Sequence, residues 1–310
     1  MAQTAATQTS EFAGFLKPAL AEDYFKEAAR SSVVQSLTRR IPLGINGQEI
    51  PYVTSKPTAS WVGETEKKPT TSGGIALKSI KPAKIAAITV VSAEVVRANP
   101  GNYVSMFREQ IAEAFALAFD AAALHGTATP FGSFIDQSGK EVELGTAAQS
   151  AGGVYGDLNG ALSLLVNDKK KLTGFAFDDV AEPILNAATD LQGRPLFVDA
   201  VYENTALQGG KLLGRQSLYS QGIGTPVVPG DDPEPNTGGI VGYAGDWSKA
   251  VWGAVGGISY DVSTQATVTL NNELVSLWEH NLVAIRAEAE YGFHVDDPES
   301  FVKITDHTQA

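Results

Sequence analysis

Between residues 102 and 124, Val104, Phe107, Ile111, Phe115, Ala118 and Ala122 recur every three or four positions. That period aligns them along one stripe of an α-helix. Asn102, following Pro100-Gly101, is a good N-cap, and Gly126 is a suitable stop. At 1.5 Å per residue such a helix is about 33 Å long, enough to act as a spine. The run Phe107, Ile111, Phe115, Phe119 reads as the face packed on a sheet rather than as a cofactor site. Towards the C-terminus the period changes to two. Val283, Ile285, Ala287, Ala289, Tyr291, Phe293 and Val295 alternate with Arg286, Glu288, Glu290 and His294. This predicts a long strand with one buried and one polar face.

The remaining chain is more broken. Residues 1–47 read as an arm, with too little apolar surface to fold alone. Residues 48–84 combine polar character with Pro51, Pro57, Pro69, Pro82 and the pair Gly73-Gly74, which suits a long hairpin-like excursion. A β-rich run follows, ending in VVSAEVV (90–96). Within 133–265, GDLNGALSLLVND (156–168) and DDVAEPILNAATD (178–190) read as helices. TGFAF (173–177), TPVVP (225–229) and IVGYAGD (240–246) read as strands, and GDDPEPNTGG (230–239) as a surface loop. That alternation describes a mixed α/β domain. No internal repeat is seen.

Charge alters this picture more than composition does. The net charge of −12 argues against tight nucleic-acid binding. It is unevenly spread, with 13 Lys/Arg against 9 Asp/Glu in residues 1–110 and 10 against 26 in 111–310. A mildly basic N-terminal part and a strongly acidic remainder would attract each other between copies of the chain. With no cysteine, disulfides and thiolate chemistry are excluded. No signal peptide and no apolar run of membrane-spanning length is seen, so a soluble, intracellular protein is expected.

Candidate chemistry is sparse. The histidines are His125, His280, His294 and His307, of which His125 ends the predicted helix and His294 falls on a strand's polar face. No G-x-S-x-G, P-loop, G-x-G-x-x-G or H-E-x-x-H is present. Asp178-Asp179 and Asp231-Asp232 lack the spaced acidic ladder of a calcium loop and read as cap and loop residues. Lys169–Lys171 reads as a solvated turn. No catalytic residue, cofactor site or metal site is assigned. Trp61 stands in a polar, lysine-rich loop, SWVGETEKKPTTSGG (60–74). It either folds back onto its own hairpin or anchors in another subunit.

Taken in order, SWVGETEKKP, VVSAEVV, HGTATPFG, GRPLFVD with GTPVVPG, and AIRAEAEYGFHVDDPESFVKIT (284–305) resemble the tailed-phage major capsid proteins of the Hong Kong 97 type. The likeness covers nearly the whole chain. It implies an α+β fold with an N-terminal arm (1–47) and an extended β-hairpin loop (48–84). A peripheral domain with its spine helix (85–132) and a mixed α/β axial domain (133–265) follow, then a return to the peripheral domain (266–310). The function implied is a self-assembling subunit, not an enzyme, forming hexamers and pentamers of an icosahedral virion shell around double-stranded DNA. Assembly would occur in the bacterial host cytoplasm, with no membrane involved.

The resemblance makes Trp61, Glu64, Glu66, Lys67 and Lys68 candidate inter-subunit contacts. Some relatives carry a built-in N-terminal scaffold, whereas this chain begins almost at the arm. A separate scaffolding protein or a processed start is therefore expected, with a portal and a decoration protein as further candidate partners. Some relatives also weld subunits by a Lys–Asn isopeptide bond. Here Leu277 and Trp278 stand where the acceptor would be sought, with Asn271, Asn272 and Asn281 only nearby, so no crosslink is expected. A bacterial nanocompartment shell (encapsulin) of the same fold is the alternative reading. An α/β enzyme with its site in 133–265 is a third, from a different class.

Overall fold

The computed structural model describes residues 32–98, 103–189, 208–228 and 237–306. Several expectations lie outside them: most of the arm, Asn102, the GRPLFVD segment, His307, and all but the end of the GDDPEPNTGG loop, including Asp231-Asp232.

The predicted long strand, Leu282–Val295, is the axis of a five-stranded sheet. Ala83–Ser92 runs antiparallel along one edge, from Ser92 opposite Leu282 to Ala83 opposite Tyr291. The other edge is shared between Ala250–Ala254, opposite its final residues, and Ser259–Ser263, opposite Ala284 to Glu288. Arg39–Pro42 joins the sheet in parallel with Ala250–Ala254. The period-two pattern is borne out from Arg286 onward, whereas Ala284 on the opposite face is buried. There Leu277, Val90 and Val268 form a small second cluster over the sheet. The strand before it stops at Ser92, and residues 93–96, the end of the expected β-rich run, lie instead in the short helix Ala93–Ala98. Ser92 Oγ accepts from Val95 N at 3.3 Å, the side-chain cap that ends the strand.

The long helix is Tyr103–Leu124. Ile111 and Phe115 pack on Ala287, Ala289, Ile85 and Ala87 of the sheet. Ala118, expected in the same stripe, is exposed. The helix passes from the sheet surface into the space between the two sheets, so its buried side turns towards Phe119, Ala123 and Leu124. Phe119 meets Phe131, Trp252, Tyr291 and Phe293 edge-on at 5.5–6.2 Å. Gly126 ends the segment at φ +69°, and a Cβ there would meet the Phe134 ring at 2.8 Å.

The second sheet has six strands in the order Glu141–Glu143, Phe301–Thr305, Ile240–Gly245, Gly174–Phe177, Arg215–Tyr219 and Gln208–Leu212. The helices Val154–Asn167 and Ala181–Asn186 cover one face, through Leu158, Leu165 and Leu185 against Phe175, Phe177 and Val302. The second helix is shorter than the sequence suggests because Asp178 is spent on the turn before it. Its carboxylate accepts from Val180, Gly222 and Gly224 N at 2.9–3.2 Å. The other face carries Tyr243, Trp247 and Phe301 into the core shared with the first sheet. Residues 250–263 pair with the long strand and Phe301–Thr305 lies in the six-stranded sheet, so sheet membership does not follow the 265/266 boundary. No described helix is long and apolar enough to cross a membrane.

Candidate assembly surfaces

The excursion at 48–84 is a two-stranded ribbon, Gln48–Ser55 paired antiparallel with Gly74–Ile80. Alternation gives it two unlike faces. On the face towards the body, Lys78 Nζ lies 4.8 Å from the Tyr52 ring centroid and 3.4 Å from the Asp296 carboxylate. On the other face Val53 stands opposite Ile75 and Pro51 opposite Leu77, and all four are exposed. An uncovered apolar stripe on a projecting ribbon marks an interaction surface. Sequence reasoning passed over it, although Pro51-x-Val53 and Ile75-x-Leu77 repeat at period two.

The connecting tip, residues 56–73, is exposed throughout. Thr58 N donates to Thr71 Oγ1 across it at 2.9 Å, and Gly63 N donates to the Glu66 carboxylate at 2.9 Å. Trp61 is fully exposed, at 104%, so it does not fold back onto its own hairpin. Glu64, Glu66, Lys67 and Lys68 surround it in solvent, and no ion pair joins them to one another or to other described residues. The five candidate residues thus share one loop and one exposure, and the four charged ones have no ion-pair partner among the described residues.

A second exposed corner precedes the long strand. Thr267–Leu270 and Glu273–Ser276 form a hairpin turned by Asn271 and Asn272, at φ +51° and +64°. A two-residue turn with both φ positive matches the twist of its strands, and asparagine tolerates it. Leu277 is buried beneath, while Leu274 and Trp278 are exposed at 79% and 75%. Asn281 donates to the Glu94 carboxylate at 2.6 Å. Asn271 and Asn272 shape the turn through their backbones and are exposed, while the Asn281 side chain is held by Glu94.

The ionisable groups of the interior brace the fold. His125 Nδ1 lies 2.8 Å from Tyr243 Oη and 3.2 Å from the Asp136 carboxylate, which also accepts from Tyr243. Burial, with the Asp136 charge, raises the Tyr243 pKa well above that of a free phenol. The nearest approach to a nucleophile and base is Ser133 Oγ, 3.0 Å from His294 Nδ1. Ser133 is buried, also accepts from Val295 N, and His294 Nε2 has no hydrogen-bond partner to orient it as a base. Burial lowers the His294 pKa, with Lys78 adding to the effect. His280 Nδ1 meets the Ser276 carbonyl oxygen at 2.9 Å on the surface. Lys170 is not merely solvated: it pairs with Asp297, and that hydrogen bond raises its pKa. Among the described residues no three His, Asp or Glu side chains gather as a metal site.

Exposed apolar side chains on the ribbon and on the hairpin before the long strand, Val53, Trp61, Ile75, Leu77, Leu274 and Trp278, are surfaces suited to meeting other chains. The phage capsid family matches residues 13–306, and the chain belongs to that family. The probable major capsid protein gp17 of Mycobacterium phage L5 is 46% identical, aligned over 99% of this chain and 95% of that one. Its namesake in Mycobacterium phage D29 is 45% identical, over 98% and 94%. A solved structure from Gordonia phage Cozz superposes with a TM-score of 0.71 at 24% identity, covering 96% of this chain and 93% of that one. One from Mycobacterium phage Adephagia gives 0.73 at 16%, covering 99% and 100%. The fold is the α+β Hong Kong 97-like capsid fold, and the chain is a major capsid protein of a tailed phage, a structural component of the virion and not an enzyme.

Proposed function

We propose that this capsid protein tiles its shell as hexamers and pentamers, with the hairpin of one subunit lying over its neighbour. The observation that carries this reading is the ribbon itself, whose outward stripe of Val53, Ile75 and Leu77 is largely exposed and whose tip at Trp61 is fully so. Trp61 is the aromatic anchor in the adjacent subunit. Glu64, Glu66, Lys67 and Lys68 form the charge set around it. Residues 48–84 act as the extended loop, 85–132 with 266–310 as the peripheral domain, 133–265 as the axial domain at the capsomer centre, and 1–47 as the arm, with 250–263 lending strands to the peripheral sheet and Phe301–Thr305 one to the axial sheet.

The charge split supports contacts between the basic N-terminal part of one copy and the acidic remainder of another. Contacts repeated through a closed shell let modest pairwise energies hold it together. The shell encloses double-stranded DNA without binding it tightly, in keeping with the net charge of −12. It assembles in the host cytoplasm with a separate scaffolding protein and a portal, and accepts a decoration protein outside. Subunits join without a Lys–Asn weld, since Leu277 and Trp278 stand where the acceptor would be sought.

Negative-stain electron microscopy of the protein expressed alone, beside its sedimentation profile, tests this reading. Thin-walled angular particles, or rings of hexamers and pentamers, are expected. A clean 32.6 kDa monomer, even with a co-expressed scaffold, would overturn it.

A further inference from the structure

Asp120 lies near the end of the long helix among Phe119, Ala123 and Leu124, and is only 2% exposed. Its oxygens face the start of the short helix Val33–Leu37, far upstream in the chain. Oδ1 lies 2.5 Å from Ser32 Oγ and 3.3 Å from Val34 N, and Oδ2 accepts from Val33 N at 2.9 Å. Asp120 therefore caps a helix belonging to another segment, sharing the task with Ser32, whose Oγ accepts from Gln35 N at 3.0 Å. Val33 and Val34 are fully buried alongside it, and Trp252 Nε1 donates to the Gln35 carbonyl at 3.1 Å.

A carboxyl group this deep, with no cation in contact, sits where an uncharged amide or hydroxyl would cap at less cost. Among the described residues, His125 is the titratable group that bears on it. Val33–Leu37 and Gly174–Phe177, which pack beside it, contain no ionisable side chain. Arg39 and Arg40 on the adjoining strand are exposed, and Asp136 is engaged with His125 and Tyr243.

We propose that Asp120 is a proton-operated latch, holding Ser32–Leu37 on the long helix when protonated and loosening when ionised. Burial raises its pKa from 3.8 to about 7, against the opposing pull of Ser32, the Val33 and Val34 amides and His125. Once undocked into water, the carboxyl returns to its ordinary value. The docked state is thus the one that binds the proton more tightly. Docking is complete below pH 3.8, weakens as the pH rises to about 7, and is level above that. Within the window each pH unit favours the undocked state about tenfold.

Amide hydrogen exchange in the full-length protein between pH 5 and pH 8, with the intrinsic rate factored out, tests the latch. Protection of the Val33 and Val34 amides is expected to fall about tenfold per unit up to neutrality and then level off. Protection of the Ile285–Ala289 stretch of the long strand should hold constant. Asp120→Asn, which retains the shape and carries no charge, should make the profile flat. A flat profile in the unaltered protein, or a slope that survives in Asp120→Asn, would overturn the proposal. Should that variant not fold, Ser32→Ala decides. It removes a donor that favours the ionised carboxyl, so the midpoint should move to higher pH, and an unmoved midpoint would equally overturn the latch.

Discussion

Lys78 and Asp296 meet where the hairpin leaves the body, with Nζ 3.2 Å from the Asp296 carbonyl oxygen and 3.4 Å from its carboxylate. Tyr52 lies under the same ammonium group, so one side chain ties both ribbon strands to the end of the long strand. Each partner is about one-third exposed, at 32% and 31%, and such pairs contribute roughly 1 kcal/mol or less. Lys78→Met should therefore leave the denaturation midpoint nearly unchanged. Hydrogen exchange in Gln48–Ser55 and Gly74–Ile80 should nevertheless accelerate. Unaltered exchange there would mean that the ribbon's own ladder fixes its position.

Trp61 touches nothing in its own chain that its removal could disturb. Trp61→Ala should leave the circular dichroism of the unassembled subunit unchanged while lowering the yield of shells in electron micrographs. Shells at full yield would remove Trp61 from the inter-subunit contact.

Phe119 joins four aromatic rings at the meeting of helix and sheets. Truncation there leaves a cavity that the surrounding rings cannot fill. Phe119→Ala should cost about 3–5 kcal/mol in a denaturant titration of the unassembled subunit. A loss below about 1 kcal/mol would show that the rings collapse into the space.

Gly242 lies mid-strand in the six-stranded sheet, where a Cβ would stand 2.4 Å from the Phe177 ring and 2.7 Å from the Ala176 carbonyl oxygen. Gly242→Ala should give insoluble or unfolded protein. Gly257→Ala, at a position with no atom within 4 Å of the new methyl, should behave like the unaltered chain. Solubility and near-ultraviolet circular dichroism of the pair separate crowding from a general intolerance of glycine replacement.

The long helix and the long strand were legible because each keeps a single period over many residues. Ile111 and Phe115 on the helix meet Ala287 and Ala289 on the strand, as those periods require. Ala118 was not legible, since periodicity assumes one partner surface and this helix passes from one to a second. Nor was the helix at 93–98, where Val95 and Val96 favour strand by propensity and a serine cap decides otherwise. The parallel pairing of Arg39–Pro42 with Ala250–Ala254 spans too much chain for any local signal. The loop-tip residues were legible as exposed and polar. The stripe at Val53, Ile75 and Leu77 was obscured because each strand carries only two or three of its members. Asp120 had a signal that was passed over, a lone charge within FALAFDAAAL, an otherwise apolar helix segment.

Both sheets are finished by the same late stretch of sequence. Leu282–Val295 supplies the axis of one, and Phe301–Thr305 sits between two earlier strands of the other. A nascent chain cannot close the first layer until synthesis has passed Val295, nor the second until it has passed Thr305, and non-local pairings of this kind form slowly. The platform from which the hairpin projects is therefore complete only once both of these late strands have been made.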